Sequence, residues 1–141
     1  MGRDRKGYIV DTNILVSKKI RELLRLGADL YVTPTIILEY LNWAIAQRNK
    51  MLKRGLVERA KGYERLIEMF PELLESLGIM IVSPKLDIEE VSEATRLIRE
   101  RSINPGDALI ALAAKQLGLG VISNDKDWER LQDYVTDWVT L

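Results

Sequence analysis

Four carboxylates stand at points of the sequence where side chains of an α/β protein can meet. Asp11 and Asp125 each come just after a short apolar run that reads as a strand. Glu39 lies in the first turns of a predicted helix, and Asp107 stands at the head of another. Carboxylates that converge repel one another unless a cation neutralises them, and a hard divalent ion with oxygen ligands is the natural partner. The set therefore indicates a metal site built from carboxylates.

Each carboxylate also has a purely structural interpretation. Asp11 can cap the first helix, Asp107 is a good candidate cap for its own helix, and Asp125 with Asp127 can form an Asx turn. Glu39 differs, because its neighbours three and four positions away along the helix are large apolar side chains. A carboxylate on a buried face needs a partner. The combination of the four is more informative than any one of them.

Composition restricts the chemistry further. The 141 residues include no histidine and no cysteine, with 21 Lys+Arg balanced by 21 Asp+Glu. Zinc sites, cysteine proteases, Ser-His-Asp hydrolases and disulfides are thereby excluded. Any bound metal must be held by oxygen ligands, which favours Mg²⁺ or Mn²⁺. No G-x-G-x-x-G or P-loop motif occurs, which argues against a nucleotide-cofactor enzyme.

The zero net charge is the sum of two unequal halves. Residues 1–65 hold 14 Lys+Arg and 7 Asp+Glu, a balance of +7, whereas residues 66–141 hold 7 and 14, a balance of −7. A basic run could follow a phosphate backbone, and its candidate substrate-binding residues are Arg48, Lys50, Lys53 and Arg54. The alternative is a solvated helical hairpin whose basic side chains pair with acids of the second half.

Strand-like and helix-like segments alternate along the chain. Strands are predicted at 8–10, 30–32, 79–82 and 120–123, with a further edge strand within 134–141. Helices are predicted at 13–26, from 34 to about 47, at 56–77 (as one helix or a pair broken near Pro71), 87–100, 107–117 and 128–132. This order predicts a single α/β domain over 1–141, with a mostly parallel sheet of four to five strands flanked by helices. In such a sheet, ligands bind at the carboxyl ends of the strands, where the four carboxylates are expected.

No apolar run approaches the roughly 20 residues needed to cross a bilayer, and the first residues do not resemble a signal peptide. We therefore expect a cytoplasmic protein without membrane association.

Four sequence blocks, in order, resemble the PIN-domain nucleases. They are Asp-Thr-Asn after the first strand, Leu-Glu-Tyr around Glu39, Pro-Gly-Asp-Ala before an alanine-rich helix, and Ser-Asn-Asp-Lys-Asp-Trp after the fourth strand. The resemblance covers almost the whole chain and is greatest to prokaryotic proteins of this size, including VapC-type toxins. One departure is the long basic stretch between the second and third strands, which is bulkier than in a minimal toxin.

The resemblance implies a set of site residues. The catalytic and metal-binding quartet would be Asp11, Glu39, Asp107 and Asp125, with Asp127 as an auxiliary metal ligand and with Thr12, Asn13 and Ser123 in support. It implies an endoribonuclease that uses one or two Mg²⁺ or Mn²⁺ ions to hydrolyse RNA by metal-activated water. With no histidine in the chain, a metal-bound hydroxide is the favoured nucleophile.

The resemblance also implies partners: an RNA substrate, a second copy in a homodimer and, if the chain is the toxin of a type II toxin–antitoxin pair, a small antitoxin protein. Two other functions stay open at this point. One is a non-catalytic PIN-like module that binds RNA or a protein, and the other is a phosphotransfer domain with Asp11 as its nucleophile. In the phosphotransfer hypothesis Glu39 would have no role.

Overall fold

A computed structural model describes residues 5–135 and 137–141 and contains a five-stranded, fully parallel sheet in the order β3-β2-β1-β4-β5. The strands are β1 (Gly7–Val10), β2 (Asp29–Val32), β3 (Ile79–Ile81), β4 (Gly120–Ile122) and β5 (Trp138–Val139). The predicted α/β class with a parallel sheet is confirmed. Because β1 pairs with both β2 and β4, the two halves of the chain meet at the centre of the sheet.

The central strands are short apolar runs that are buried on both faces. Ile9, Val10, Val121 and Ile122 have no exposed surface. Parallel strands covered by helices on both sides are typically continuous apolar runs of this kind. Ile9 lies opposite Val121 in the register, so the ends of β1 and β4 stand side by side.

Helices cover the sheet. They are α1 (Thr12–Leu15), α2 (Pro34–Lys53), α3 (Val57–Glu68), α4 (Phe70–Ser76), α5 (Ile88–Arg101) and α6 (Pro105–Leu117), with 3₁₀ helices at Lys18–Arg25 and Lys126–Leu131. The alanine-rich α6 is buried along most of its length. It ends at Gly118, whose φ of 67° suits a residue without Cβ.

The predicted helix over 13–26 is wrong in type and extent. After one turn, α1 ends at Leu15, and Ser17 then turns the chain into the first 3₁₀ helix. The Ser17 hydroxyl donates to the Ile14 carbonyl at 2.8 Å and accepts from the Lys19 N–H at 3.1 Å. A serine that can satisfy backbone groups on both sides offers the chain an alternative to a continuous helix.

The other boundaries differ by smaller amounts. Helix α2 continues to Lys53, past the predicted end near residue 47, because nothing stops it until Gly55, whose φ is 74°. The break near Pro71 is confirmed, with the boundary at Met69. The edge strand predicted within 134–141 shortens to Trp138–Val139, and Tyr134 lies in a turn. In the described residues, no helix is long and apolar enough to cross a membrane.

Candidate metal centre

The four predicted carboxylates lie together at the carboxyl edge of the sheet. Asp11 directly follows β1, and its backbone N–H donates to the carbonyl of Ile122, the last residue of β4, at 2.9 Å. This bond places the loop after β4, which carries Asp125, beside Asp11. Glu39 comes from the second turn of α2 and Asp107 from the first turn of α6, the helices that approach the edge from either side.

Asp11 is nearly fully buried and is held by neutral donors. Its Oδ2 accepts hydrogen bonds from the Ser123 hydroxyl at 2.7 Å and from the Trp128 indole N–H at 3.2 Å, while Oδ1 accepts from the Thr12 N–H at 2.8 Å. Burial raises the pKa of Asp11, and these hydrogen bonds oppose the rise. The Asn13 side-chain amide also donates to Oδ2, at 3.3 Å. Asp11 therefore caps α1 with Oδ1, and three donors on Oδ2 hold its carboxylate in one position.

Asn13 ties the two central loops together. Its amide NH₂ donates to the Ser123 hydroxyl at 2.9 Å, and its Oδ1 accepts from the Asn124 N–H at 3.1 Å. Together with Ser123, which also accepts from the Asp125 N–H at 3.1 Å, it fixes the loop after β4 on the end of β1. The resemblance predicted a supporting role for both Asn13 and Ser123.

Glu39 is aimed into the site by two contacts. The Thr12 hydroxyl donates to its Oε1 at 2.8 Å. Its other oxygen lies directly against Gly106 in the first turn of α6, where a Cβ would overlap the carboxylate. Burial and then the charge of Asp11 raise the pKa of Glu39, and the Thr12 hydrogen bond opposes this. Because Gly106 has no Cβ, the Glu39 carboxylate can approach the first turn of α6.

Asp107 does not cap its helix as its structural interpretation predicted. Asn104 is the N-cap of α6: its Oδ1 accepts from the Asp107 N–H at 2.8 Å, and its NH₂ donates to Asp107 Oδ2 at 3.1 Å. The Asp107 carboxylate is thus free to turn toward the other acids. Burial, followed by the negative charges of the other site carboxylates, raises the pKa of Asp107 to about 7.

Asp125 and Asp127 complete the cluster from the second 3₁₀ helix. Asp125 caps this helix by accepting from the Asp127 N–H at 2.9 Å, so the predicted Asx turn is present. Asp107, Asp125 and Asp127 each offer a carboxylate oxygen within 4.8 Å of the other two. Asp125 can form the Asx turn and still offer an oxygen to a metal ion, because a carboxylate has two oxygens.

The donor set fits a hard divalent cation. It consists of carboxylate oxygens, which Mg²⁺ and Mn²⁺ prefer. Within residues 5–135 and 137–141, no lysine or arginine approaches Asp11, Glu39, Asp107 or Asp125 within the 4.0 Å of an ion pair. Asp127 has only a 3.9 Å contact with Arg130. The repulsion that raises the pKa of Asp107 is therefore left for a cation to relieve.

Three residues of the site were not predicted. Trp128 lies in the core, and its indole N–H donates to Asp11. Asn104 and Gly106 appeared only as neighbours of Asp107. The Asn-Pro-Gly-Asp order carries a usable signal, because asparagine before proline is a strong helix start.

The basic run lies outside this cluster, at the end of α2 and in the turn that follows. Arg48 forms an ion pair with Glu64 of α3 at 2.8 Å. Lys50, Lys53 and Arg54 are exposed and have no ion pair among the described residues. The alternative interpretation predicted that these basic side chains pair with acids of the second half. Among the described residues, the two ion pairs of the hairpin, Arg48–Glu64 and Lys61–Glu58, instead join residues of the hairpin itself.

Comparisons with known proteins agree with this architecture. The family model described as PIN domain matches residues 8–134. No curated protein matches the sequence.

Several solved structures share the fold. PAE2754 from Pyrobaculum aerophilum is 18% identical, with a TM-score of 0.62, and the match covers 96% of this chain and 83% of that one. VapBC-1 from nontypeable Haemophilus influenzae is 17% identical, with a TM-score of 0.59, covering 95% and 97%. VapBC-5 from Mycobacterium tuberculosis, a member of the VapBC family of toxin–antitoxin systems, is 14% identical, with a TM-score of 0.55, covering 96% and 98%.

Proposed function

Because this chain belongs to the PIN-domain family, which consists of nucleases, we propose that it is a metal-dependent endoribonuclease acting on RNA phosphodiester bonds. The observation that carries the proposal is the convergence of Asp11, Glu39, Asp107 and Asp125 at one edge of the sheet. No lysine or arginine of the described residues pairs with any of the four. A scaffold that needed no cation would have little reason to bury repelling carboxylates together.

The cluster would hold one or two Mg²⁺ or Mn²⁺ ions. Asp107, Asp125 and Asp127 each offer an oxygen within 4.8 Å of the other two. Asp11 and Glu39 lie close enough for their charges to act on Asp107. When bound, such an ion supplies an activated water and neutralises charge on the scissile phosphate. With no histidine in the sequence, the chain itself offers no imidazole for acid–base work.

The neutral residues around the cluster orient the carboxylates. Ser123 and Trp128 hold Asp11, Thr12 holds Glu39, and Asn104 holds Asp107. The single donors to Glu39 and Asp107 leave most of their lone-pair positions free, whereas the four donors to Asp11 fix that carboxylate. Such positioning groups strengthen a metal site by about 10- to 100-fold in affinity or activity. We propose that Lys50, Lys53 and Arg54 provide the positive charge that receives the RNA backbone.

A narrower role is as the toxin of a type II toxin–antitoxin pair, with a small antitoxin as partner and a homodimer as the assembly. The support is the fold shared with structures from VapBC systems. A short reading frame next to this gene, whose product co-purifies with the chain, would support that role. A cleavage-competent chain with no such neighbour would contradict it without touching the nuclease assignment.

Cleavage of a single-stranded RNA by the purified protein tests the enzyme. We expect cleavage in Mg²⁺ or Mn²⁺, none in EDTA, and a loss of roughly a hundredfold or more in Asp11→Asn and Asp107→Asn. The matched control is Asp87→Asn, which changes the N-cap of α5 and should retain activity. Cleavage that survives EDTA, or either site substitution, would refute the metal centre. Wild-type protein that binds RNA without cutting it would favour the non-catalytic module.

A further inference from the structure

The side of α2 that carries Glu39 continues past the acidic cluster as a row of exposed side chains. At about 100° per residue, Ala46 and Lys50 project within about 20° of Glu39 around the helix axis, and Lys53 within about 40°. All three are exposed. At about 1.5 Å per residue, Lys50 stands about 16.5 Å and Lys53 about 21 Å from Glu39 along the axis. The two ammonium groups are therefore in line with the site.

The rest of the protein packs on a different side of α2. Of the four buried residues of α2, Tyr40, Ala44 and Met51 project about 100–140° away from Glu39, and Ile36, in the first turn, about 60°. Arg48 projects about 180° away, and its guanidinium is paired with Glu64 of α3. The packing of the hairpin thus leaves Ala46, Lys50 and Lys53 to solvent, whereas Trp43, on the same side, packs partly against Tyr40 and Tyr63.

The side chains of this row are of the kinds that bind a single-stranded nucleic acid. Nearest the site, Trp43 is partly buried, with its ring edge-on to Tyr63 at a centroid distance of 5.7 Å, and Asn42 beside it is exposed. Ala46 follows with a small side chain, and the two lysines come last. Proteins that bind single strands combine aromatic platforms for bases with positive charge for the backbone.

We propose that this α2 row (Asn42, Trp43, Ala46, Lys50 and Lys53) binds the single-stranded RNA that flanks the scissile bond. The inference rests on the proposed function and deepens it. At about 3.4 Å per nucleotide in a stacked strand, Lys50 and Lys53 meet phosphates about five and six nucleotides from the acidic cluster. Two predicted substrate-binding residues are not part of the row: Arg48 projects away from it, and Arg54 is the C-cap residue just beyond its end.

The competing explanation is local. Lys50 and Lys53 lie in the last turn of α2, where positive charge stabilises the helix dipole. In that case their removal would lower the melting temperature and leave RNA binding and cleavage unchanged. The two explanations differ in the length of RNA that responds and in salt dependence.

The test compares Lys50→Ala/Lys53→Ala with Lys61→Ala/Arg65→Ala. The second pair removes the same charge from the same hairpin, but at exposed α3 positions that project roughly 100–140° from buried Ala60. For a 12-nucleotide single-stranded RNA, we expect the row variant to raise KM roughly tenfold with kcat within about twofold. We expect the control to stay within about twofold on both, and Lys50→Arg/Lys53→Arg to restore KM.

Two further readouts separate contact from general charge. A trinucleotide is too short to reach the lysines, so the row variant should cleave it like wild type. The slope of log KM against log salt should become shallower by about 1.4 in the row variant, at about 0.7 for each of two lost phosphate contacts. Equal effects of the two double variants, or a lower melting temperature with unchanged KM, would overturn the inference.

Direct binding keeps the inference independent of catalysis. If the wild-type chain does not cut RNA, the proposed function fails. Fluorescence anisotropy with the same 12-nucleotide RNA then measures whether the α2 row binds RNA. Weaker binding only in the row variant supports it, whereas equal binding by both double variants overturns it.

Discussion

At the scale of single residues, helix capping and metal binding are not alternatives. Asp125 caps its 3₁₀ helix while lying within reach of Asp107. A carboxylate has about four lone-pair positions, so this backbone hydrogen bond leaves others available. Asp11 caps α1 with Oδ1 and accepts its three other hydrogen bonds on Oδ2, so Oδ1 is its freer oxygen. A capping position in a sequence therefore does not argue against a role in the site.

Gly106→Ala should reduce cleavage although alanine favours a helix more than glycine does. The new Cβ would occupy the space of a Glu39 carboxylate oxygen and push that group away from the cluster. We expect roughly a 10- to 100-fold loss of kcat/KM, comparable with the loss of a positioning contact at a metal site.

The matched control for this prediction is Gly62→Ala, on α3. A Cβ there meets nothing within 4 Å, so helix propensity alone should raise stability by about 0.5–1 kcal/mol with unchanged cleavage. Kinetics and thermal melting of both variants check the pair. Full activity in Gly106→Ala would show that Glu39 does not need its present position.

At the scale of elements, α6 delivers Asp107 because a different residue starts the helix. Pro105 occupies the first helical position and Asn104 caps it, which puts Asp107 in the first turn. A negative charge near a helix N-terminus is favoured by the helix dipole, which offsets part of the repulsion from the other carboxylates. The element thus tolerates a buried acid where the site needs one.

Asn104→Ala and Asp87→Ala should lower stability alike and differ in activity. Each removes an N-cap side chain that accepts a backbone N–H, of α6 and α5 respectively, at a cost of about 1 kcal/mol. Only Asn104 also donates to Asp107, at 3.1 Å. Denaturant unfolding and RNA-cleavage kinetics should show similar stability losses, with roughly tenfold slower cleavage for Asn104→Ala alone. Equal activities would mean that the Asn104 amide does not position Asp107.

At the scale of the whole molecule, the formal charge of zero conceals an acidic centre and a basic hairpin. One or two divalent ions at the proposed site would change the net charge from 0 to +2 or +4. Salt bridges do little to join the two halves: among the described residues, Lys6–Asp137 is the one ion pair that links residues 1–65 with 66–141. Instead, β1 and β4 join the halves through the sheet and place the acids of both at one edge.

Mn²⁺ should stabilise the protein against heat. At a free concentration of about 100 times Kd, binding to the native state adds about 2.7 kcal/mol, which for a chain of this size is roughly 5–10 °C in Tm. Asp107→Asn should melt higher than wild type in EDTA, because it removes a buried charge from a repelling cluster, and should lose most of the Mn²⁺ response. Differential scanning calorimetry of both proteins, with and without the ion, measures this. An identical Mn²⁺ response would place the ion elsewhere.

The sequence alone determined the sheet and the order of the acids along it, because these follow from local patterns. Short apolar runs alternating with helical periodicity predict parallel strands, and Asp11 and Asp125 follow two of those runs within a few residues. Glu39 could be singled out because its neighbours three and four positions away, Ile36 and Trp43, are large and apolar. These features depend on neighbours in the chain, which a sequence displays.

Only the tertiary structure decided what depends on distant partners. The Trp128 indole reaches Asp11 across 117 positions, and Gly106 is needed because Glu39 arrives from another helix. The same holds for Arg48, whose charge is taken by Glu64 once α3 folds back on α2. Hydrogen bonds, ion pairs and close approaches form between surfaces that folding brings together, and a periodicity within one element carries no record of them.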